Sequence, residues 1–236
     1  MLEFVTKHQY WRLLDEKVDK QLAPAKFPWH LKSVQDVVAY SLLGDPQGQV
    51  IGEIGGGESR LLPVLVGSNQ CTNIETFEGR DGGPGEEVIV DGVRNVPAFV
   101  GDFSEELEES SFDVLVSVSV VEHVPDNALG AFIRDCHRLL KPGGTGVHLV
   151  DMYLSHDRTS YNVSRAALYR SAFDDGLFEP INTPEILGEA DLVFKESYCT
   201  NPDNMMYMWN RVAPKLRALR ETSQSVTLAW AGTAIK

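Results

Sequence analysis

From residue 49 onward the chain alternates short apolar runs with longer stretches of helical periodicity. Few folds tolerate that rhythm other than a mostly parallel sheet covered by helices on both faces. Residues 49–54 are predicted as the first strand, running directly into Gly55-Gly56-Gly57 and a helix over 59–66. Strands are also predicted over 73–77, 96–100, 112–120 and 145–153. The helix predicted over 127–140 is stopped by Lys141-Pro142-Gly143-Gly144, because proline cannot continue it and glycine tolerates the exit geometry. A strand over 192–198, a helix over 203–221 and a strand over 225–234 complete the pattern. The expectation is an α/β fold with a doubly wound, mostly parallel seven-stranded sheet of Rossmann-like type, carrying an antiparallel strand near one edge.

Two regions depart from the rhythm. Residues 1–45 read as an amphipathic helical cap, with Trp11, Leu13, Leu14 and Val18 on one face and Leu31, Val34, Val37, Val38 and Leu42 on another. Residues 46–236 then form the ligand-binding domain, and 236 residues suit one substantial core. Residues 79–97 are glycine-rich where a crossover helix is expected, and Asp91-Gly92 marks a tight turn.

Charge narrows the partners. With 21 basic and 34 acidic residues the net charge is −13, which repels phosphate backbones and anionic membranes. Nucleic acid and membrane are therefore not expected as partners, and a small-molecule substrate is. The three cysteines form no CxxC pair, the first residues do not resemble a secretory signal, and no apolar run approaches a bilayer's thickness. A cytoplasmic protein is expected.

Chemistry gathers at the ends of the predicted strands, where open α/β sheets bind ligands. Glu53 precedes Gly55, Gly56 and Gly57, whose bare backbone admits a ligand where a Cβ would collide. An acid after the second strand suits ribose hydroxyls. Glu75 and Glu78 compete for it, and Glu78 is preferred because Phe77-Glu78-Gly79 reads as the strand's end. Asp102 and Phe103 offer a carboxylate and an aromatic face, although Asp102 serves equally as a helix cap. The fourth strand closes in Ser119-Val120-Val121-Glu122-His123-Val124-Pro125.

With its glycine turn, Glu-His-Val and Leu-Lys-Pro-Gly-Gly segments, the chain resembles the small-molecule branch of the class I S-adenosylmethionine-dependent methyltransferases over residues 48–155. The resemblance implies S-adenosyl-L-methionine as cofactor. It also implies Glu53, Gly55, Gly56 and Gly57 at the methionine moiety, Glu78 on the ribose, Asp102 and Phe103 at the adenine, and Ser119 beside the methionine. Ser59 replaces the third motif glycine. The Asn/Asp-Pro-Pro-Tyr motif of the branch that methylates adenine or amide nitrogens does not follow the fourth strand, so an oxygen acceptor is favoured.

His123, Asp151 and His156 are the candidate catalytic residues. His123 is either a base or a residue that shapes its loop; Asp151 and His156 follow a strand's carboxyl end. His148 and Asp151, three apart in a strand, point to opposite faces. No metal is expected. Tyr153, Arg158, Tyr161, Arg165, Tyr169 and Arg170 offer substrate contacts or form an ordinary helix face, and Met205 to Trp209 reads as core or a lid contact. The competing readings are a silent module that keeps the cofactor fold as a scaffold and, less favoured, a nicotinamide-dependent oxidoreductase.

Overall fold

A computed structural model describes residues 1–22, 31–79, 83–181, 187–200 and 223–236. The sheet has eight strands: β1 Leu2–Phe4, β2 Val50–Ile54, β3 Gln70–Ile74, β4 Val93–Val96, β5 Phe112–Val118, β6 Leu140–Leu154, β7 Phe178–Pro180 and β8 Gln224–Ala234. Their order is β1-β8-β6-β5-β2-β3-β4. Strands β2 to β6 are mutually parallel and β8 runs antiparallel to β6 over ten residue pairs. The far edge of β8 is shared, since β1 pairs with Leu228–Trp230 and β7 with Gly232–Ala234.

That edge differs from expectation. The first residues contribute a strand to the sheet, so residues 1–45 are not wholly helical. Residues 192–198 form no strand; only Tyr198 makes an isolated bridge, to Thr6. The segment still buries Leu192 and Tyr198, so its apolar run packs without entering the ladder. The helix expected over 203–221, including Met205 to Trp209, lies outside the described residues.

Helix α1, Lys7–Asp15, is opened by a reciprocal cap in which Thr6 Oγ1 accepts from Gln9 N and Gln9 Oε1 accepts from Thr6 N. It buries Tyr10 and Leu13, while Trp11 stays 63% exposed, so the apolar face is turned from the expected one. Helix α2, Leu31–Leu43, is buried nearly all round, including the polar Gln35 and Asp36. With the short α3, Leu62–Leu65, these helices cover one face of the sheet against Ile51, Val114, Val116, Val147 and Leu149. Helices α4, Asp126–Leu139, and α5, Ser160–Asp174, cover the other against Leu115, Val150, Met152, Leu154 and Trp230. The two-residue period of β6 sorts its side chains between these layers. His148 accordingly packs between Phe132 and Trp230 while its neighbours Val147 and Leu149 face α2. No helix lies among the described residues of 79–97, and Val90 O accepts from Val93 N across the Asp91-Gly92 turn.

Candidate active site

Every parallel strand of the sheet's centre delivers its carboxyl end to one rim, and two cavities open there. The first, about 310 Å³, lies over β2, β3 and β4, with Gly55, Glu75, Phe99, Val120, His123 and Phe132 among its walls. The second, about 300 Å³, lies between the end of β6, α5 and the turn after β5, and is walled by Glu122, Asp151, Tyr153, Tyr161, Arg165 and Tyr169 among others. The Val120–Val124 segment separates them. Val120, His123 and Val124 face the first cavity and Glu122 the second.

The glycine turn is built against its neighbours. Gly55 sits at φ +65°, and a Cβ there would stand 2.6 Å from the Val120 side chain. A Cβ on Gly56 would stand 2.6 Å from Asn73 Oδ1 and 3.1 Å from the Glu53 carboxyl group. Ser59 Oγ donates to Glu53 Oε2 and accepts from Leu62 N at 2.9 Å, so one hydroxyl joins the strand's acid to the start of α3. Burial pushes the Glu53 carboxyl up to about 7, against the opposing bond from Ser59. Arg60 reaches Asp36 of α2 with two nitrogens. Beside Glu53, Asn73 is fully buried and neither atom of its amide has a hydrogen-bond partner.

Strand β3 ends at Ile74, so Glu75 is the acid at its carboxyl end and it lines the first cavity. Glu78 is exposed and outside that wall. The preference for Glu78 rested on a strand placed three residues too late. Asp102 is exposed and Phe103 45% exposed, the latter under the Arg138 guanidinium; neither lines the first cavity, where Phe99 and Val100 stand instead. The backbone N–H groups of Gly101 and Phe103 are held by the buried Asp135.

At the turn after β5, Ser119 has φ +53° and donates through Oγ to Gln35 Oε1 at 2.7 Å, with Asp151 Oδ1 3.2 Å away. Gln35 Nε2 donates to the same carboxylate. Asp151 therefore sits in a network with α2, on the sheet face opposite His148, as their spacing implies. His148 accepts or donates at Ser117 Oγ, 2.8 Å away, and burial brings its ring down to about 4, so it stays neutral. The exposed His156 lines neither cavity. Arg158 pairs with Glu189 and Arg170 donates to Leu187 O.

The turn itself is clamped from α5. Arg165, 2% exposed, donates to Val124 O at 2.9 Å, Val121 O at 2.8 Å and Asp126 Oδ1 at 2.6 Å, and its Nε reaches Tyr169 Oη. Four of its five N–H groups are thereby held by the protein. Sequence reasoning missed Glu122, Gln35 and Arg165's clamp. Glu122 was visible only as the neighbour of a more conspicuous histidine.

Comparison with known proteins fits this geometry. The family model described as "Methyltransferase domain" matches residues 53–147, from Glu53 through β6. Over that stretch the chain is similar to methyltransferase domains. A ubiquinone biosynthesis O-methyltransferase of Pseudomonas syringae is 49% identical over 43 residues, a match spanning 18% of this chain and 17% of that protein. Among solved structures, geranyl diphosphate C-methyltransferase from Streptomyces coelicolor, in complex with S-adenosyl-L-homocysteine among other ligands, superposes with a TM-score of 0.55 at 15% identity. The superposition covers 86% of this chain and 76% of that one. A phosphoethanolamine N-methyltransferase of Haemonchus contortus gives 0.51 at 17% identity over 86% of this chain and 52% of that one. At these identities the solved structures establish the fold alone.

The first cavity fits the cofactor on its own chemistry. It combines bare backbone at Gly55, an acid at Glu75 able to accept from a diol, and apolar walls at Phe99, Val100 and Phe132 for a flat base.

Proposed function

We propose that this chain transfers a methyl group from S-adenosylmethionine to a small polar acceptor, with an oxygen acceptor favoured and sugar-containing, natural-product or envelope metabolites as the leading class. The observation that carries the reading is the pair of cavities meeting at the turn after β5, one suited to a nucleoside and one left for a second molecule.

Bound in the first cavity, the cofactor would supply an electrophilic methyl on a sulfonium centre. Glu75 would accept from the ribose hydroxyls. Gly55, Gly56 and Gly57 would leave room for the methionine portion, with Glu53 shaping the turn through Ser59 and Ser119 lying close by. Phe99 and Val100 take over the adenine wall that Asp102 and Phe103 were expected to form. Methyl transfer of this kind needs little bond chemistry from the protein, so holding two reactants in line is its main contribution, worth up to ~7–11 kcal/mol. Arg165 serves this indirectly by fixing the turn between the cavities. The three cysteines are free and buried, which suits a reducing compartment such as the cytoplasm, and no described helix is long and apolar enough to cross a membrane.

Calorimetric titration with S-adenosylhomocysteine tests the reading. One saturable site is expected, and occupancy at 100 times Kd should raise stability by about 2.7 kcal/mol. Absence of binding would end the proposal. Binding without transfer of labelled methyl to any small-molecule fraction would instead identify a scaffold.

A further inference from the structure

The second cavity contains an acid with no structural employment. Glu122 sits on a single 3-10 turn, its side chain is 15% exposed, and both carboxylate oxygens are buried with no side-chain hydrogen-bond partner among the described residues. His123 Nε2 stands 4.0 Å from its Oε1, too far to bond. Buried polar groups in folded proteins are almost always paired, because an unpaired one costs about 1–3 kcal/mol. Glu122 lines the chamber, and a turn of its side chain would carry the closed-off carboxyl group to a ligand there.

The surroundings say what kind of ligand. Asp151 from β6 faces the same space, as do Tyr161, Arg165 and Tyr169 from α5, and Lys32 of α2 acts on Glu122 from a distance. Arg165 gives most of its donors to Val121 O, Val124 O, Asp126 and Tyr169, so its main task is to hold the turn. Tyr153 and Tyr161 are 56% and 60% exposed and Tyr169 is buried, giving ring faces at the mouth and back of the chamber. Aromatic walls around two acids suit a flat or puckered ring that carries hydroxyl groups.

We propose that this chamber holds the methyl acceptor as a hydroxylated ring, and that Glu122, not His123, takes the proton from the hydroxyl that is methylated. The inference rests on the methyltransferase reading above. In the step, the acceptor oxygen forms its bond to the methyl carbon while its proton passes to the Glu122 carboxylate. The carbon–sulfur bond breaks with its electron pair left on sulfur, so the positive charge of the sulfonium is discharged and the acid leaves protonated. Burial, reinforced by the charge of Asp151, pushes the Glu122 carboxyl up to about 8, against the backbone N–H groups of Glu122 and Asp151 directed at it. A carboxylate of that basicity is a far better proton acceptor than an exposed one. His123, half-exposed, lines the first cavity and not the chamber.

The test uses the full chain saturated with S-adenosylhomocysteine for binding, and loaded with labelled S-adenosylmethionine for transfer. The acceptor probes are catechol, methyl glucoside and, as a nitrogen counterpart, 1,2-phenylenediamine. Saturable binding of catechol or the glucoside is expected, the preferred one naming the ring type, together with a perturbed carboxyl signal in the carbon NMR spectrum of glutamate-labelled protein that Glu122→Gln removes. Transfer to the bound probe should rise with pH to a plateau near 8 and fall 10²–10⁴-fold in Glu122→Gln, with homocysteine-nucleoside affinity changed less than threefold. A larger loss in His123→Ala than in Glu122→Gln would overturn the assignment, as would tighter binding of the diamine than of either hydroxyl probe. Intact cofactor binding with neither hydroxyl probe bound would overturn the chamber alone, whereas failure to bind S-adenosylhomocysteine would remove the underlying reading first.

Discussion

Glu53 and Glu122 stand at the ends of neighbouring parallel strands, β2 and β5, and burial raises both carboxyl groups toward or past neutrality. Their surroundings divide them. Glu53 receives a hydroxyl from Ser59, which in turn caps α3, so the acid ties the glycine turn to the sheet. Glu122 is held in place by a turn whose carbonyls Arg165 has claimed, yet its own oxygens are unclaimed. A raised affinity for protons thus marks a building element behind the glycine turn in one case and, on the proposed reading, a reactive position in the other. Partner accounting distinguishes them; the shift alone does not.

The comparison is broken most severely at the first cavity. Gly55→Val puts a branched side chain at φ +65° and within collision distance of Val120, in the wall of the nucleoside cavity. Its affinity for S-adenosylhomocysteine should drop at least 100-fold by calorimetry, while Glu122→Gln leaves it nearly unchanged. Tight binding by the valine variant would show that the cofactor does not lie at this turn. A smaller effect separates the acids after β3. Glu75→Ala should weaken cofactor affinity roughly tenfold or more, as expected for losing a hydrogen bond to a charged group, and Glu78→Ala no more than about twofold. The reverse ranking would place the ribose on the exposed loop.

Much of this was legible from the chain alone. β2, β5, β6 and β8 are long and apolar enough to announce themselves, and the stop at Lys141 to Gly144 fixed the end of α4 within a residue. The strand predicted over 73–77 lies over 70–74 and that over 96–100 over 93–96, the ladder admitting the polar Gln70, Thr72 and Asn95. That shift puts Glu75 and Phe99, not Glu78 and Asp102, in the wall of the first cavity. Strands β1 and β7 have three residues each, too few for any period, and exist because β8 offers an open edge. Glu122 was opaque for a different reason: its isolation depends on Asp151, Tyr169 and Arg165, which reach it from 29 or more positions away in sequence.

The finest test of the comparison is stability against pH, since it needs neither ligand nor turnover. In the unfolded chain each glutamate carboxyl ionises near 4.5, whereas in the folded protein Glu53 holds its proton to about 7 and Glu122 to about 8. Between the two values the unfolded state has released a proton that the native state retains, so each acid stabilises the fold fully below 4.5 and loses that contribution as pH climbs to the native value. The loss runs at up to ~1.4 kcal/mol per pH unit and ceases once the native group ionises too. Glutamine matches the protonated acid in shape and does not titrate. Urea denaturation should therefore find Glu122→Gln close to wild type at about pH 4.5 and more stable at about pH 8.5, the difference growing until about 8. For Glu53→Gln the difference should stop growing near 7, and because the substituted amide oxygen can still accept from Ser59, the turn should stay closed. Parallel wild-type and Glu122→Gln curves across this range would mean that the acid finds a partner or water in solution, and the orphan on which the chamber's chemistry depends would not exist.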